Sequence, residues 1–156
     1  MRRRRGFSLP EILTAIVIMA IIAAMMIPQL TELRTRSGLR AARMQLVAAL
    51  SAARAAAVQK GKPASVQMAG SAIVVNVVSG LRNESLQIFG PLRLDRTTGA
   101  SLFPVSGAPT TIVYDARGLI SPASATTTRY ELRMGRMSDT VCLTGSGAVM
   151  IKGCVL

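Results

Sequence analysis

Residues 1–30 read MRRRRGFSLPEILTAIVIMAIIAAMMIPQL. Arg2 to Arg5 precede Gly6, and Phe7-Ser8-Leu9-Pro10-Glu11 leads into Ile12 to Ile27, sixteen residues with no charge and with Thr14 as the one polar member. Together with Phe7 to Pro10 and Gln29-Leu30, the stretch reaches the roughly 20 residues that a helix needs to cross a bilayer. The arginines on its N-terminal side predict that this end stays in the cytoplasm while the remainder is sent outward. Glu11 is the lone charge inside the stretch.

Two ordinary readings account for part of this pattern. A secretory signal peptide has a basic start and an apolar middle, but its cleavage site follows the apolar run and needs small residues. Ala20 to Pro28 offers weak candidates, and Glu11 has no role there. A plain single-pass anchor accommodates the length, yet it leaves a carboxylate in lipid at a cost of about 2.5 kcal/mol or more. A reading that uses Glu11 is therefore preferred.

Beyond Pro28 the helical pattern continues unbroken to Gly61-Lys62-Pro63. Gly61 fits a C-terminal cap, and Pro63 cannot continue a helix. Leu39, Ala42, Leu46, Leu50, Ala53 and Ala57 recur at three- and four-residue steps and predict one apolar face. Alanine dominates from Ala41 to Ala57, so this face should pack closely on a flat partner, a β-sheet of the same chain. A helix from Phe7 to Lys60 would be about 80 Å long. Arg36, Arg40 and Arg43, with Arg34 close by, share one face just past the apolar run. Contact with phosphates, of lipid or of DNA, is one reading; a solvated outer face, with lipid head groups as an incidental partner, is preferred.

From Pro63 the pattern changes to short strands punctuated by Gly, Pro, Ser and Asn. Ala64 to Met68 and Ile73 to Val78 flank Ala69-Gly70-Ser71-Ala72 and predict a hairpin. Leu86 to Phe89, Thr111 to Tyr114, Tyr130 to Met134, Val141 to Leu143 and Val149 to Ile151 read as further strands. Asp95 to Ser101 and Ser121 to Thr128 read as polar loops. One long helix followed by several strands predicts an α+β fold, the helix packed on a C-terminal antiparallel β domain.

The totals narrow the chemistry. Half of the 156 residues are hydrophobic, yet aromatics make up only 3%. That argues against an aromatic stacking platform. Net charge is +12 for the whole chain, and residues 7–156 keep 15 basic against 7 acidic side chains, or +8. Such an excess favours an anionic partner or simple solubility. With no histidine, a Ser-His-Asp or Cys-His catalytic group cannot be built, and two cysteines are too few for a thiolate/imidazole zinc site. No catalytic residue, cofactor or metal site is expected, and the chain does not read as an enzyme.

Gly6-Phe7-Ser8-Leu9-Pro10-Glu11 resembles the processing site of type IV pilins and type II secretion pseudopilins. The resemblance implies cleavage between Gly6 and Phe7 by a prepilin peptidase, N-methylation of the new terminal Phe7, and an assembly role for Glu11. Pro28 falls where pilins often carry a helix-kinking proline. The new amine at Phe7 and the Glu11 carboxylate of a neighbouring subunit would satisfy each other in lipid. Pro10 is tolerated in a first helical turn, and it resembles minor more than major subunits.

Tyr114-Asp115-Ala116-Arg117-Gly118-Leu119, a strand near Tyr130, and Val141-Cys142-Leu143-Thr144-Gly145-Ser146-Gly147 are similar to the GspH/FimT family of minor subunits. The resemblance implies a cleaved leader (1–6), a transmembrane and N-methylation segment (7–30), an amphipathic helix (31–61) and a β-rich periplasmic head (62–156). It implies a minor pilin or pseudopilin of a type II secretion or type IV pilus filament, single-pass in the inner membrane. Expected partners are other pilin subunits, prepilin peptidase, an inner-membrane assembly platform and membrane lipid.

FimT-type members resemble DNA receptors that use Gly-Arg-x-Arg near the C-terminus. The matching place here reads Gly147-Ala148-Val149-Met150, with neither arginine. Nucleic acid is the alternative partner and is not favoured. Arg129, Arg133, Arg136 and Lys152 are the candidate anion contacts, and Arg129 and Arg133 share a face if their segment is a strand. Cys142 and Cys154 flank the last turn. They either stay as two apolar thiols or form a disulfide, which an extracytoplasmic compartment permits. The bridge would fasten the C-terminal end, with an entropic gain of about 3 kcal/mol.

Overall fold

The computed structural model describes residues 9–79, 84–105, 107–121, 127–151 and 154. The chain divides into two units, one ending at Thr35 and one beginning at Arg36. A single helix, α1 (Leu9–Lys60), contributes to both.

In the first unit, the side chains of Leu9, Ile12, Leu13, Ile16, Val17, Ile21 and Ile22 are all at least half exposed. An 18-residue window here has a mean hydropathy of 2.3 and none of it is buried. By length and composition this segment can cross a membrane.

The second unit holds the core. Leu39, Ala42, Leu46, Leu50, Ala53 and Ala57 are all buried, with Ala49 alongside them, as the three/four periodicity predicts. Four of these seven are alanines, whose single methyl lets a helix backbone lie close to a sheet. The helix ends at Gly61, whose φ of +59° is the left-handed conformation that glycine adopts without a Cβ penalty. The Gly61 N–H donates to the Val58 carbonyl at 3.3 Å and the Lys62 N–H to Ala57 at 3.2 Å, the paired bonds of a Schellman cap.

Two four-stranded antiparallel sheets pack against this helix face. The first contains β1 (Ala64–Ala69), β2 (Ala72–Ser79), β3 (Glu84–Arg93) and β5 (Thr111–Tyr114), ordered β3-β2-β1-β5. β1 and β2 form the expected hairpin about Gly70-Ser71, with Val66 opposite Val75. Ala64, Val66 and Met68 face the core with Ile73, Val75 and Val77, while the intervening residues face outward, the two-residue period of a half-buried sheet. The second contains β4 (Ser101–Val105), β6 (Thr128–Met134), β7 (Met137–Leu143) and β8 (Val149–Met150), ordered β4-β6-β7-β8. It contributes Leu102, Tyr130, Leu132, Val141 and Leu143 to the same core. The α+β architecture, a long helix followed by antiparallel sheets, is as expected from the sequence.

Three local readings are corrected. The segment from Asp95 to Ser101 is not a loop throughout: α2 (Leu94–Thr97) forms there, anchored by the buried Leu94, and β4 starts at Ser101. β4 went unrecognised because Ser-Leu-Phe-Pro-Val carries Pro104, yet it is an edge strand, where a missing N–H removes no ladder bond. β8 ends at Met150 rather than Ile151.

Candidate functional site

Glu11 lies in the first turn of α1 and is exposed, surrounded in sequence by apolar side chains. Thr14 turns its hydroxyl back to the Glu11 backbone carbonyl at 3.0 Å, so the one polar side chain of the following run is satisfied within the helix. Pro28 falls inside α1. Gly6 and Phe7, expected to flank the processing site, lie outside the described residues, as does Lys152.

The two motif loops of the head fold onto each other. In the first, Asp115 accepts from the backbone N–H groups of Arg117 and Leu119, both at 2.9 Å, and from the Arg117 side chain at 3.1 Å. The Leu119 N–H above all, and then Arg117, hold the Asp115 carboxyl below the usual carboxylate range. In the second, Thr144 hydrogen-bonds Ala148 and Ser146 with its hydroxyl, and the Gly147 N–H donates to the Thr144 carbonyl at 2.8 Å. The loops meet where Ile120 donates to the Gly145 carbonyl at 3.3 Å. Gly147 has a φ of +76°, and a Cβ there would lie 2.6 Å from the Gly118 carbonyl oxygen and 3.0 Å from the Tyr114 ring. No residue larger than glycine fits this contact without a shift.

Arg54 of α1 closes the arrangement by donating to the Gly147 carbonyl at 3.3 Å. Beside it a groove of ≈ 550 Å³ runs along the helix, lined by Val47, Leu50, Arg54, Val58, Gly147 and Val149. Tyr114 lies buried beneath, and burial pushes its phenol up to about 12 although Arg54 pulls the other way. The signal for Arg54 was present in the sequence as one of two cations, with Arg43, within the alanine stretch 41–57.

Cys142 and Cys154 form a disulfide with Cα atoms 5.9 Å apart, inside the usual range. Arg129 donates to the Cys154 carbonyl at 3.3 Å, a second tie on the same end.

The candidate anion contacts do not form one patch. Arg129 and Arg133 share the outer face of β6, as expected for a strand, but Glu131 stands between them. Arg133 bonds Glu131 at 2.7 Å and lies 5.2 Å from the Phe103 ring centroid. That hydrogen bond is the main cause that lowers Glu131 and raises Arg133. Arg136 belongs to the β6–β7 turn, beyond the far end of β6, about 17 Å of strand away from Arg129. The arginines on α1 are not all solvated either: Arg43 pairs with Asp139 at 2.9 Å, an interaction across 96 residues with no local sequence signal.

The model of the prokaryotic N-terminal methylation motif matches residues 1–27, and that of the type II transport protein GspH matches residues 42–147. The second match covers well over half of the chain. The chain belongs to the GspH family. The GspH match takes in Arg54, the first motif loop, and the second as far as Gly147, with β8 beyond its end. No curated protein matches the chain at a significant level. Among solved structures, the type IV minor pilin FimU of Pseudomonas aeruginosa is similar in two crystal forms. One aligns with a TM-score of 0.57 at 17% identity, covering 76% of this chain and 91% of FimU. The other gives a TM-score of 0.53 at 17% identity, covering 74% and 94%. At that identity the likeness shows a shared fold, and this GspH-family chain is pilin-like in architecture.

Proposed function

We propose that the chain is a minor pilin or pseudopilin subunit of a type II secretion or type IV pilus filament, with a structural rather than a catalytic role. The observation that carries the reading is an exposed apolar helical segment with Glu11 as its only charge, continuous in one helix with a GspH-family head. Residues 7–30 insert in the inner membrane, with the N-terminal arginines cytoplasmic. Residues 31–61 form the amphipathic helix and residues 62–156 the periplasmic head, where an oxidising compartment suits the Cys142–Cys154 bridge.

Prepilin peptidase removes the leader 1–6 and methylates Phe7, and Pro28 introduces a bend in the helix. Glu11 then accepts the terminal ammonium of a neighbouring subunit as both leave the bilayer through the assembly platform. Breaking such a buried pair by removing one partner costs roughly 3–5 kcal/mol, enough to fix subunit register.

Mass spectrometry of the mature N-terminus tests the processing step, and a start at any residue other than Phe7 sinks it. Glu11→Ala should be cleaved normally yet fail to enter filaments; normal incorporation would contradict the pairing. DNA binding in the manner of FimT is supported less. Gly147 to Met150 lacks arginine, and Arg133 is already bonded to Glu131. A low-salt gel shift with duplex DNA that weakens steeply with added salt would revive that reading.

A further inference from the structure

On the head unit, away from the two motif loops, a cleft of ≈ 420 Å³ opens between α1 and the β6–β7 hairpin, lined by Arg36, Leu39, Arg40, Arg43, Ser138 and Asp139. Residues 36, 40 and 43 are spaced four and three apart, so their guanidinium groups rise from one side of the helix. Asp139 is the one carboxylate lining the cleft, and Arg43 already holds it at 2.9 Å. Arg40 is exposed and pairs with no carboxylate among the described residues. The Nε of Arg43 is buried without an acceptor, leaving an unsatisfied donor on a cleft-lining side chain.

The hairpin brings a fourth cation towards the same end of the head. Met134 packs on Gly38, where an added Cβ would meet its Sδ at 2.9 Å, and the exposed Arg136 follows in the turn. Along the chain, Arg36 comes only three residues after Leu33, the last large side chain of the exposed apolar segment. If that segment spans a bilayer, the arginines emerge at headgroup depth. Guanidinium groups match phosphate oxygens in planar, two-pronged geometry.

We infer that this cleft is a binding site for the phosphodiester headgroup of an anionic phospholipid of the phosphatidylglycerol kind. Arg40 grips the phosphate, Arg36 flanks it, and Arg43, fixed by Asp139, completes its surroundings. A zwitterionic choline headgroup brings its own cation to the same place and is held less well. The inference rests on the membrane insertion proposed above.

The test uses the full chain in detergent, wild type and Arg36→Gln/Arg40→Gln with the same N-terminus, and native mass spectrometry of lipid retained from matched phosphatidylglycerol and phosphatidylcholine. The wild type should prefer phosphatidylglycerol. The double variant should lose that preference by about 25-fold, since each arginine near an anionic surface is worth roughly fivefold. Arg129→Gln/Arg133→Gln, which removes the same charge from β6, should leave the preference unchanged. Millimolar inorganic phosphate should not displace the lipid. Equal retention of the two lipids by the wild type, an equal loss in the β6 variant, or displacement by free phosphate would each overturn the site. Alkaline carbonate extraction of membranes separates the two failures. A chain that is extracted loses the membrane reading itself, whereas one that stays but shows no headgroup preference loses only the cleft. Circular dichroism of both double variants checks that the fold is retained.

Discussion

Arg54 and Gly147 are joined by a hydrogen bond from the guanidinium Nη1 to the backbone carbonyl, 3.3 Å across 93 residues. This one bond links α1 to the turn that closes the C-terminal hairpin. Gly147→Ala should destabilise the head by about 2–3 kcal/mol, because it combines a positive φ with a Cβ that would sit 2.6 Å from a carbonyl oxygen. Arg54→Met, which keeps the aliphatic stem, should cost about 1 kcal/mol. Thermal melts of the detergent-solubilised chain, followed by circular dichroism, measure both.

Gly38 offers a case in which helix propensity and packing oppose each other. Alanine is favoured over glycine in a helix interior by about 1 kcal/mol. Its methyl at this position, however, would lie 2.8 Å from the Thr98 carbonyl oxygen and 2.9 Å from the Met134 sulfur. The backbone oxygen cannot step aside as a flexible side chain can, so Gly38→Ala should lower the melting temperature. Adding Met134→Ala should recover little of the loss, because the Thr98 contact remains.

The two buried tyrosines should answer differently to loss of the hydroxyl. Tyr130 donates to the Pro109 carbonyl at 2.8 Å, so Tyr130→Phe should cost about 1 kcal/mol. The Tyr114 hydroxyl is buried without a partner, so Tyr114→Phe should be neutral or stabilising. Burial raises both phenols to about 12, against about 10 in an unfolded chain. A raised pKa means that the folded state resists deprotonation. The stabilisation is therefore complete below pH 10 and is lost as pH climbs towards 12. Alkaline unfolding should shift to higher pH in the Tyr114→Phe/Tyr130→Phe double variant relative to its own stability at pH 8.

Reducing the Cys142–Cys154 bridge, which closes a sequence separation of 12, should lower stability by about 3 kcal/mol. Hydrogen exchange should place the effect at β8 and the end of β7, with α1 and the β1–β2 hairpin protected as before. Uniform loss of protection across the head would contradict the local role.

Features written in local sequence were the ones open to reading. The alternation of leucine and alanine from Leu39 to Ala57, and the Gly61 stop, each depend on neighbours within a turn or two, and both are found in the structure. The β1–β2 hairpin is equally local. β4 was hidden because its pairing partner, β6, lies about 30 residues further on and its own composition includes Pro104. α2 was hidden because three polar residues follow Leu94, and burial of that one leucine outweighs them. In the candidate site, the Gly6, Phe7 and Glu11 motif is a contiguous signal and needs no fold to be recognised. Arg43 with Asp139, and Arg54 with Gly147, exist only once distant segments meet. The split between Arg129/Arg133 and Arg136 required knowing where β6 ends.

The alanine-rich face of α1 has a mechanical corollary. Leu39, Ala42, Leu46, Ala49, Leu50, Ala53 and Ala57 are buried along about 27 Å of helix axis. A pull directed along that axis within the head meets all of them side by side, in shear, rather than one after another as in peeling. No single contact has to be strong for the joint to hold. The head should give way abruptly and as one body, after stretching very little.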